Sequence, residues 1–322
     1  MGRNIWLDGI MGVVVGDALG VPVEFESREF LMKCPVTKME GYGTYNLPAG
    51  TWSDDSSMTL ATLDSLKNGW NLKDIMAKFA LWLMQGEYTA FGNVFDVGNT
   101  CRRAIYRYCG TGDVQTCGGA EREDNGNGSL MRIMPVCLFL YEKQKKEGMP
   151  DDEAVEKIHQ VSSLTHAHVI SKMGCGLYYF IVKSILDNKG SLQERVQAGV
   201  DAGFAYYQAL GNPDFEDAED CYDRVKDLAS FAEMKEGGIW STGYIVASFE
   251  AALWCLLNTD SYEACTLKAV NLGSDTDTVA AIVGGLAGLY YGYDNIPADW
   301  LRVIQRREWI EEMCGRDFTM AE

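Results

Sequence analysis

Hydrophobic positions along this chain recur with a helical period nearly throughout. Leu7, Ile10, Met11, Val14 and Ala18 follow the i, i+3, i+4, i+7 spacing that lines one face of a helix. Asn71 stands where an N-cap belongs, and Leu72, Ile75, Met76, Phe79 and Leu83 make the next stripe. Ile245 to Leu257 is apolar almost all round, broken only by Ser248 and Glu250, which predicts a central buried helix. Val279 to Leu289 reads the same way, with Gly284, Gly285 and Gly288 permitting close approach of a second helix.

Strand signals are weak. There is no repeated period-2 alternation and no Asn-Gly turn between β-branched runs. Asn125-Gly126-Asn127-Gly128 reads as a loop running into a helix. All seven prolines fall at predicted element boundaries, which leaves 49–134, 151–212 and 214–296 free of them. Pro213 to Asp220 holds five acids in eight residues and predicts a solvated excursion. No repeat and no linker-like composition shift divides the chain. The expectation is an all-α fold with one domain spanning 1–322.

Composition sharpens this picture. The 322 residues include 28 Lys plus Arg and 46 Asp plus Glu, a net charge of −18, with 47% hydrophobic residues. Such a chain fills a sizeable core and is not disordered. The charge is the wrong sign for general binding to nucleic acid or anionic membranes, so an anionic ligand needs a local device. The uncharged run Val279 to Tyr293 is 15 residues with four glycines, short for a membrane span. Asp8 lies where a signal peptide would begin its apolar core. The expectation is a cytoplasmic, soluble monomer. The ten cysteines form no C-x-x-C pair, and Cys101, Cys109 and Cys117 have no nearby histidine. They read as reduced thiols rather than zinc ligands or a disulfide framework.

Candidate chemistry concentrates in a few segments. Thr51-Trp52-Ser53-Asp54-Asp55 precedes an apolar helix. Ser and Asp cap exposed N–H groups there, but adjacent carboxylates with a hydroxyl also offer hard oxygen ligands to Mg²⁺ or Mn²⁺. Gly273-Ser274-Asp275-Thr276-Asp277-Thr278 also enters an apolar helix. An extended loop there would point Asp275 and Asp277 the same way, with Thr278 adding a hydroxyl. Two such loops in one acidic chain read as opposing halves of one site, since four carboxylates repel unless cations sit between them. Asp17 lies on the apolar face of the first helix and needs a partner; a structural acid bonded to nearby backbone is the plainer account. Glu24 follows the Gly20-Val21-Pro22-Val23 break and can reach the same place. Gly126-Asn127-Gly128-Ser129-Leu130-Met131-Arg132 combines loop glycines, free N–H groups and an arginine, either an ordinary tight loop or a phosphate cradle. His166 and His168 are two apart, which excludes a helical metal pair.

Together these segments resemble the ADP-ribosylglycohydrolases. The resemblance rests on Gly16-Asp17-Ala18-Leu19-Gly20 with Glu24, Thr51 to Asp55, Asp96-Val97-Gly98-Asn99-Thr100, Gly126 to Arg132, and Gly273 to Thr278. Thr165-His166 and Gly243-Tyr244-Ile245-Val246 are also similar. It implies an orthogonal helical bundle with two Mg²⁺ or Mn²⁺ ions in a central cleft. By position it implies Ser53, Asp54 and Asp55 as metal ligands from one side and Asp275, Asp277 and Thr278 from the other. Glu24 falls at the edge of the metals and Asp96 near the scissile bond. Gly126, Asn127, Gly128, Ser129, Met131 and Arg132 would cradle the diphosphate and distal ribose, with His166 and Tyr244 toward the phosphate and adenine ends. Ser274 departs from the family's glycine and would add a side chain beside the metals.

The implied reaction is hydrolysis at C1″ of ADP-ribose attached to a protein or small acceptor, with Asp54, Asp55, Asp96 and Glu24 carrying the acid–base and metal chemistry. A metal-dependent diphosphatase and a non-catalytic ADP-ribose binder are the rival readings. The metal-site acids are all present, which argues against the second.

Overall fold

The computed structural model describes residues 3–187 and 189–315. Among them there are helices, short 3₁₀ turns and three isolated bridges, and no strand. The helices are α1 (Ile5–Gly20), α2 (Arg28–Lys33), α3 (Asp54–Leu66), α4 (Leu72–Gln85) and α5 (Asn99–Thr111). Next come α6 (Met134–Glu147), α7 (Asp151–Ser163), α8 (Val169–Asp187), α9 (Leu192–Leu210), α10 (Pro213–Cys221) and α11 (Leu228–Ala232). They are followed by α12 (Ile245–Leu257), α13 (Tyr262–Val270), α14 (Thr276–Tyr291), α15 (Ala298–Val303) and α16 (Arg307–Gly315). The all-α reading holds.

The axis of the fold is an antiparallel pair, α1 against α14. Gly12, Gly16 and Gly20 recur at helical spacing on one helix, opposite Gly284, Ala280 and Asp277 on the other. A Cβ at Gly12 would overlap the Gly284 carbonyl, and one at Gly16 the Ala280 carbonyl. The backbones therefore touch, which side chains at these positions forbid. Tyr262 Oη donates to the Gly12 carbonyl (2.7 Å), and Thr276 Oγ1 to the Gly20 carbonyl (2.8 Å). This close approach brings the end of α1, with Asp17, beside the start of α14, with Asp277.

Helix starts follow their caps. Asn71 Oδ1 accepts from the Asp74 N–H, as its position predicted. The predicted apolar helix Ile245–Leu257 is α12, buried along its length except at Leu257. Pro213 to Asp220 is not an excursion. It is helix α10, with Asn212 as N-cap, because Phe215 and Ala218 bury one face while the acids hold the other. Two segments, Ile5–Val23 and Val169–Asp187, have the length and apolarity of a membrane span, yet 89% and 78% of them lie buried in the fold. All ten cysteines are free thiols, seven of them buried.

Candidate active site

Five segments meet at one end of the α1–α14 pair. Their meeting starts with Asp17. Its carboxylate accepts from the Ser53 N–H (3.0 Å), the Ser56 N–H (3.0 Å) and the Ser56 hydroxyl. It thus caps the start of α3 from another helix, satisfying N–H groups that no intrahelical partner reaches. The structural account of Asp17 is the right one. It also fixes where Asp54 and Asp55 sit, in the first turn of α3.

Asp55 is fully buried. Its Oδ2 accepts from Ser53 Oγ (3.1 Å) and Thr278 Oγ1 (3.2 Å), so the two acidic segments face each other across α3 and α14. α14 begins at Thr276, three residues before the predicted start at Val279. Asp275 and Asp277 are therefore separated by a helix start rather than aligned in an extended loop. Asp277 points its Oδ1 at the Thr278 N–H, while Asp275 turns toward Asn127.

Glu24, Asp96 and Asp277 each bring a carboxylate oxygen to within 4.8 Å of the others. Burial pushes the Glu24 carboxyl up to about 9, aided by the Asp96 charge and opposed by the Tyr45 hydroxyl, which donates to it at 2.7 Å. Burial and the Asp275 charge raise Asp96 to about 6. Asp54, Asp55 and Asp277 are held well above the usual carboxylate range, chiefly by burial and then by neighbouring acids. Asp96 itself sits at φ +45, in the left-handed region.

The glycine-rich loop forms the facing wall. The Asn127 N–H donates to the Gly243 carbonyl and the Ile245 N–H to the Asn125 carbonyl, which sews the loop to the start of α12. Gly128 is required by closeness: a Cβ there would lie 2.8 Å from Cys101 Sγ and 2.9 Å from His166 Cε1. His166 is buried and bonds Thr165 Oγ1 through Nδ1. Burial, then Arg132, lowers it to about 3, so the ring is neutral.

A cavity of about 250 Å³ lies between these walls, lined by Glu24, Asp54, Asp96, Gly126, Asn127, Gly128, Met131, His166, Asp275 and Thr278. Gly98, Asn99, Thr100 and Cys101 at the start of α5 also line it. A larger concavity, about 720 Å³ around Arg302, Arg306 and Trp309, holds none of these groups.

Four sequence expectations need correction in placement. Arg132 does not face the cavity. It is fully buried under the loop, where it donates to the Gly128 carbonyl (2.6 Å), the Val161 carbonyl (3.2 Å) and Thr165 Oγ1 (2.9 Å) and lies over the Phe79 ring. Ser129 is also buried beneath the loop, bonded to Ser162 Oγ. Ser274 is exposed and lines no wall, because at φ +66 its backbone turns outward to exchange hydrogen bonds with Phe25 and Glu26. Tyr244 is 41% exposed and likewise lines no wall; its backbone bridges Gly126. Sequence reasoning missed Tyr45 and Cys101. Tyr45 carries no motif, and Cys101 was read only as a thiol.

The donor set suits a hard divalent cation. Asp55 Oδ1 and Asp277 Oδ2 are buried and have no hydrogen-bond partner. Two orphaned carboxylate oxygens among so many acids need a cation or a proton. The groups available are carboxylates and hydroxyls, with no thiolate or imidazole pair, which fits Mg²⁺ or Mn²⁺ rather than Zn²⁺.

Residues 4–322 match the family model for ADP-ribosylglycohydrolase. The chain is 31% identical over 314 residues to the ADP-ribosylarginine hydrolase Tri1 of Serratia proteamaculans, covering 97% of this chain and 78% of that one. It is 32% identical to the ADP-ribosyl-(dinitrogen reductase) glycohydrolase of Rhodospirillum rubrum, covering 92% and 88%. A solved structure of an ADP-ribosylglycohydrolase-related protein complex superposes with a TM-score of 0.75 at 30% identity, covering 97% and 95%. A full-length match to the family model, relatives at this identity and a shared fold lead to one conclusion: the chain belongs to the ADP-ribosylglycohydrolase family of hydrolases.

Proposed function

We propose that this enzyme hydrolyses the glycosidic bond at C1″ of ADP-ribose attached to an acceptor, releasing ADP-ribose, with two Mg²⁺ or Mn²⁺ ions in the cleft. The observation that carries the reading is the pair of orphaned oxygens, Asp55 Oδ1 and Asp277 Oδ2, beside a cavity walled by a glycine-rich loop. Ser53, Asp54 and Asp55 would hold the ions from one side, and Asp275, Asp277 and Thr278 from the other. Bound metal would supply charge neutralisation and Lewis-acid polarisation of ribose oxygens.

The chain's own groups divide the remaining work. Gly126 and Gly128 let backbone N–H groups approach an anionic ligand, which offsets the net charge of −18 locally. His166 is neutral and contributes shape and hydrogen bonding rather than charge. Glu24 and Asp96, at the cavity wall, are the carboxyls placed to orient water or move a proton beside the breaking bond. Carboxylates there also favour the positive charge of an oxocarbenium-like transition state.

Arginine is the acceptor we favour. The Serratia relative is named for that linkage, and a carboxylate-lined wall suits a guanidinium. The test is a panel of arginine-, serine- and ester-linked ADP-ribosyl conjugates after chelation, with Mg²⁺ or Mn²⁺ restored. Metal-dependent release of ADP-ribose from the arginine conjugate is expected. AMP as the product would identify a diphosphatase, and turnover unaffected by chelation would remove the metals from the reaction.

A further inference from the structure

We propose that Tyr45 is a positioning residue, holding Glu24 and Asp96 together as one unit at the cavity wall; its part in turnover rests on the function proposed above. The residue lies on the short turn Gly43–Tyr45, outside every motif that marks the site.

The turn grips Glu24 twice. Thr44 Oγ1 donates to the Glu24 carbonyl (2.8 Å), and Tyr45 Oη donates to Glu24 Oε2 (2.7 Å). Backbone and carboxyl of one acid are thus held by neighbouring residues. The turn is itself seated on the segment before Glu24, since a Cβ at Gly43 would overlap the Pro22 carbonyl. Tyr42 precedes it at φ +72, a conformation that a bulky residue adopts only when its surroundings impose it, and Asn46 closes it in the left-handed region at φ +54.

The same ring reaches the second acid. The Tyr45 and Phe95 rings lie 4.8 Å apart at 53°. Phe95 directly precedes Asp96, in a stretch outside any helix. Asp96 lacks the helical support that Asp54 and Asp277 have; the Tyr45 hydroxyl also reaches its carboxyl, and the packed ring holds the residue before it.

The need for such a clamp follows from the charges. Glu24, Asp96 and Asp277 crowd carboxylate oxygens within 4.8 Å. Whenever these carboxyls ionise, like charges at that separation push a mobile side chain toward solvent. A donated hydrogen bond and a packed ring resist this, and Tyr45 supplies both. Phenylalanine keeps the ring contact and loses the hydroxyl's grip on Glu24 and Asp96; leucine loses the ring contact as well.

The experiment compares wild type, Tyr45→Phe and Tyr45→Leu. Amide hydrogen exchange is read on the metal-free proteins, and kcat and KM on an ADP-ribosyl-arginine conjugate with Mg²⁺. Tyr45→Phe should speed exchange in 23–26, with a smaller effect in 94–98. Tyr45→Leu should speed it in both segments and further in 94–98, with α3 and α14 unchanged. Displacement of a reacting group by about 1 Å costs on the order of 100-fold, so kcat should fall by about 10- to 100-fold while KM moves less than about threefold. Exchange unchanged in both segments, or raised equally throughout the chain, would overturn the clamp. So would Tyr45→Phe retaining wild-type kcat, or raising KM alone. If wild type releases no ADP-ribose yet the exchange pattern appears, the function proposed above fails and the clamp stands. If wild type turns over and exchange is flat, the clamp fails and that function stands.

Discussion

Asn127 Nδ2 donates to Asp275 Oδ2 across 2.7 Å and to Ser248 Oγ across 2.8 Å. One buried amide thus ties the glycine-rich loop to the segment entering α14. Two walls of the cavity, 148 residues apart in sequence, share this contact. Asn127→Ala leaves Asp275 and Ser248 without that donor, at a cost of roughly 1–3 kcal/mol for an unsatisfied buried group, or about 5- to 150-fold in kcat/KM if the loss falls on the transition state. Asn127→Asp should be worse, because it adds a carboxylate against Asp275. Steady-state kinetics of the pair decide it; equal activity in both variants would mean that the amide orders nothing that matters.

Arg132 is predicted to be a residue of stability rather than affinity. Its guanidinium holds three oxygens under the loop, and nothing replaces it if it is cut back. Arg132→Ala strands those acceptors and opens a cavity, a loss of roughly 3 kcal/mol or more. The melting temperature should drop by about 5 °C or more. Arg132→Lys keeps the charge without the planar fork and should recover only part. A raised KM with an unchanged melt would instead put the guanidinium on the substrate.

Arg132 also shows where sequence reading stops. Its spacing after Gly126 and Gly128 was visible, but a helix start and a loop wall look alike in one dimension, and only burial separates them. The same limit produced the error at Pro213 to Asp220, where five acids concealed the Phe215 and Ala218 face of a helix. Elements with strong periodicity were legible: the Asn71 cap, the helix Ile245–Leu257 and the glycines of α14 all emerged from local pattern. The meeting of the Ser53–Asp55 and Asp275–Thr278 segments was legible because two clustered acid loops have few other physical uses. Tyr45 was not, since its importance lies wholly in a contact with Glu24 made by a turn.

The glycines of α1 should separate two kinds of glycine. A Cβ at Gly16 would overlap the Ala280 carbonyl, whereas one at Gly110, inside α5, meets nothing within 4 Å. Gly16→Ala must push α1 off α14 and carry Asp17 away from Ser53, so melting temperature and activity should fall together. Gly110→Ala removes only backbone entropy and should stabilise by up to about 1 kcal/mol. Melts of the two variants check this; a tolerated Gly16→Ala would show that the helix pair is not in backbone contact.

The acids themselves set a pH dependence that metal should reverse. Glu24 moves from an ordinary 4.5 to about 9, and Asp96 from 3.8 to about 6, in the folded metal-free protein. Between those values the folded chain keeps protons that the unfolded chain has lost. Their contribution is full below the ordinary carboxylate values and is lost as pH rises toward about 9. Metal-free protein should therefore melt at progressively lower temperature from about pH 5 to about pH 8. Mg²⁺ or Mn²⁺ binds the ionised site, so protons compete with it least at high pH. The metal-induced rise in melting temperature should grow over the same interval, reaching the equivalent of roughly 2.7 kcal/mol at 100 times Kd. Asp55→Asn with Asp277→Asn removes the acids that bear the two orphaned oxygens. That double variant should cancel the metal-induced rise and flatten the metal-free decline, because fewer charges crowd Glu24 and Asp96. Melts of wild type and double variant across this pH range, with chelator and with metal, test both signs. A metal-induced rise that survives the double substitution would place the ions elsewhere, and a metal-free melt that climbs with pH would mean the site's acids are already ionised and paired.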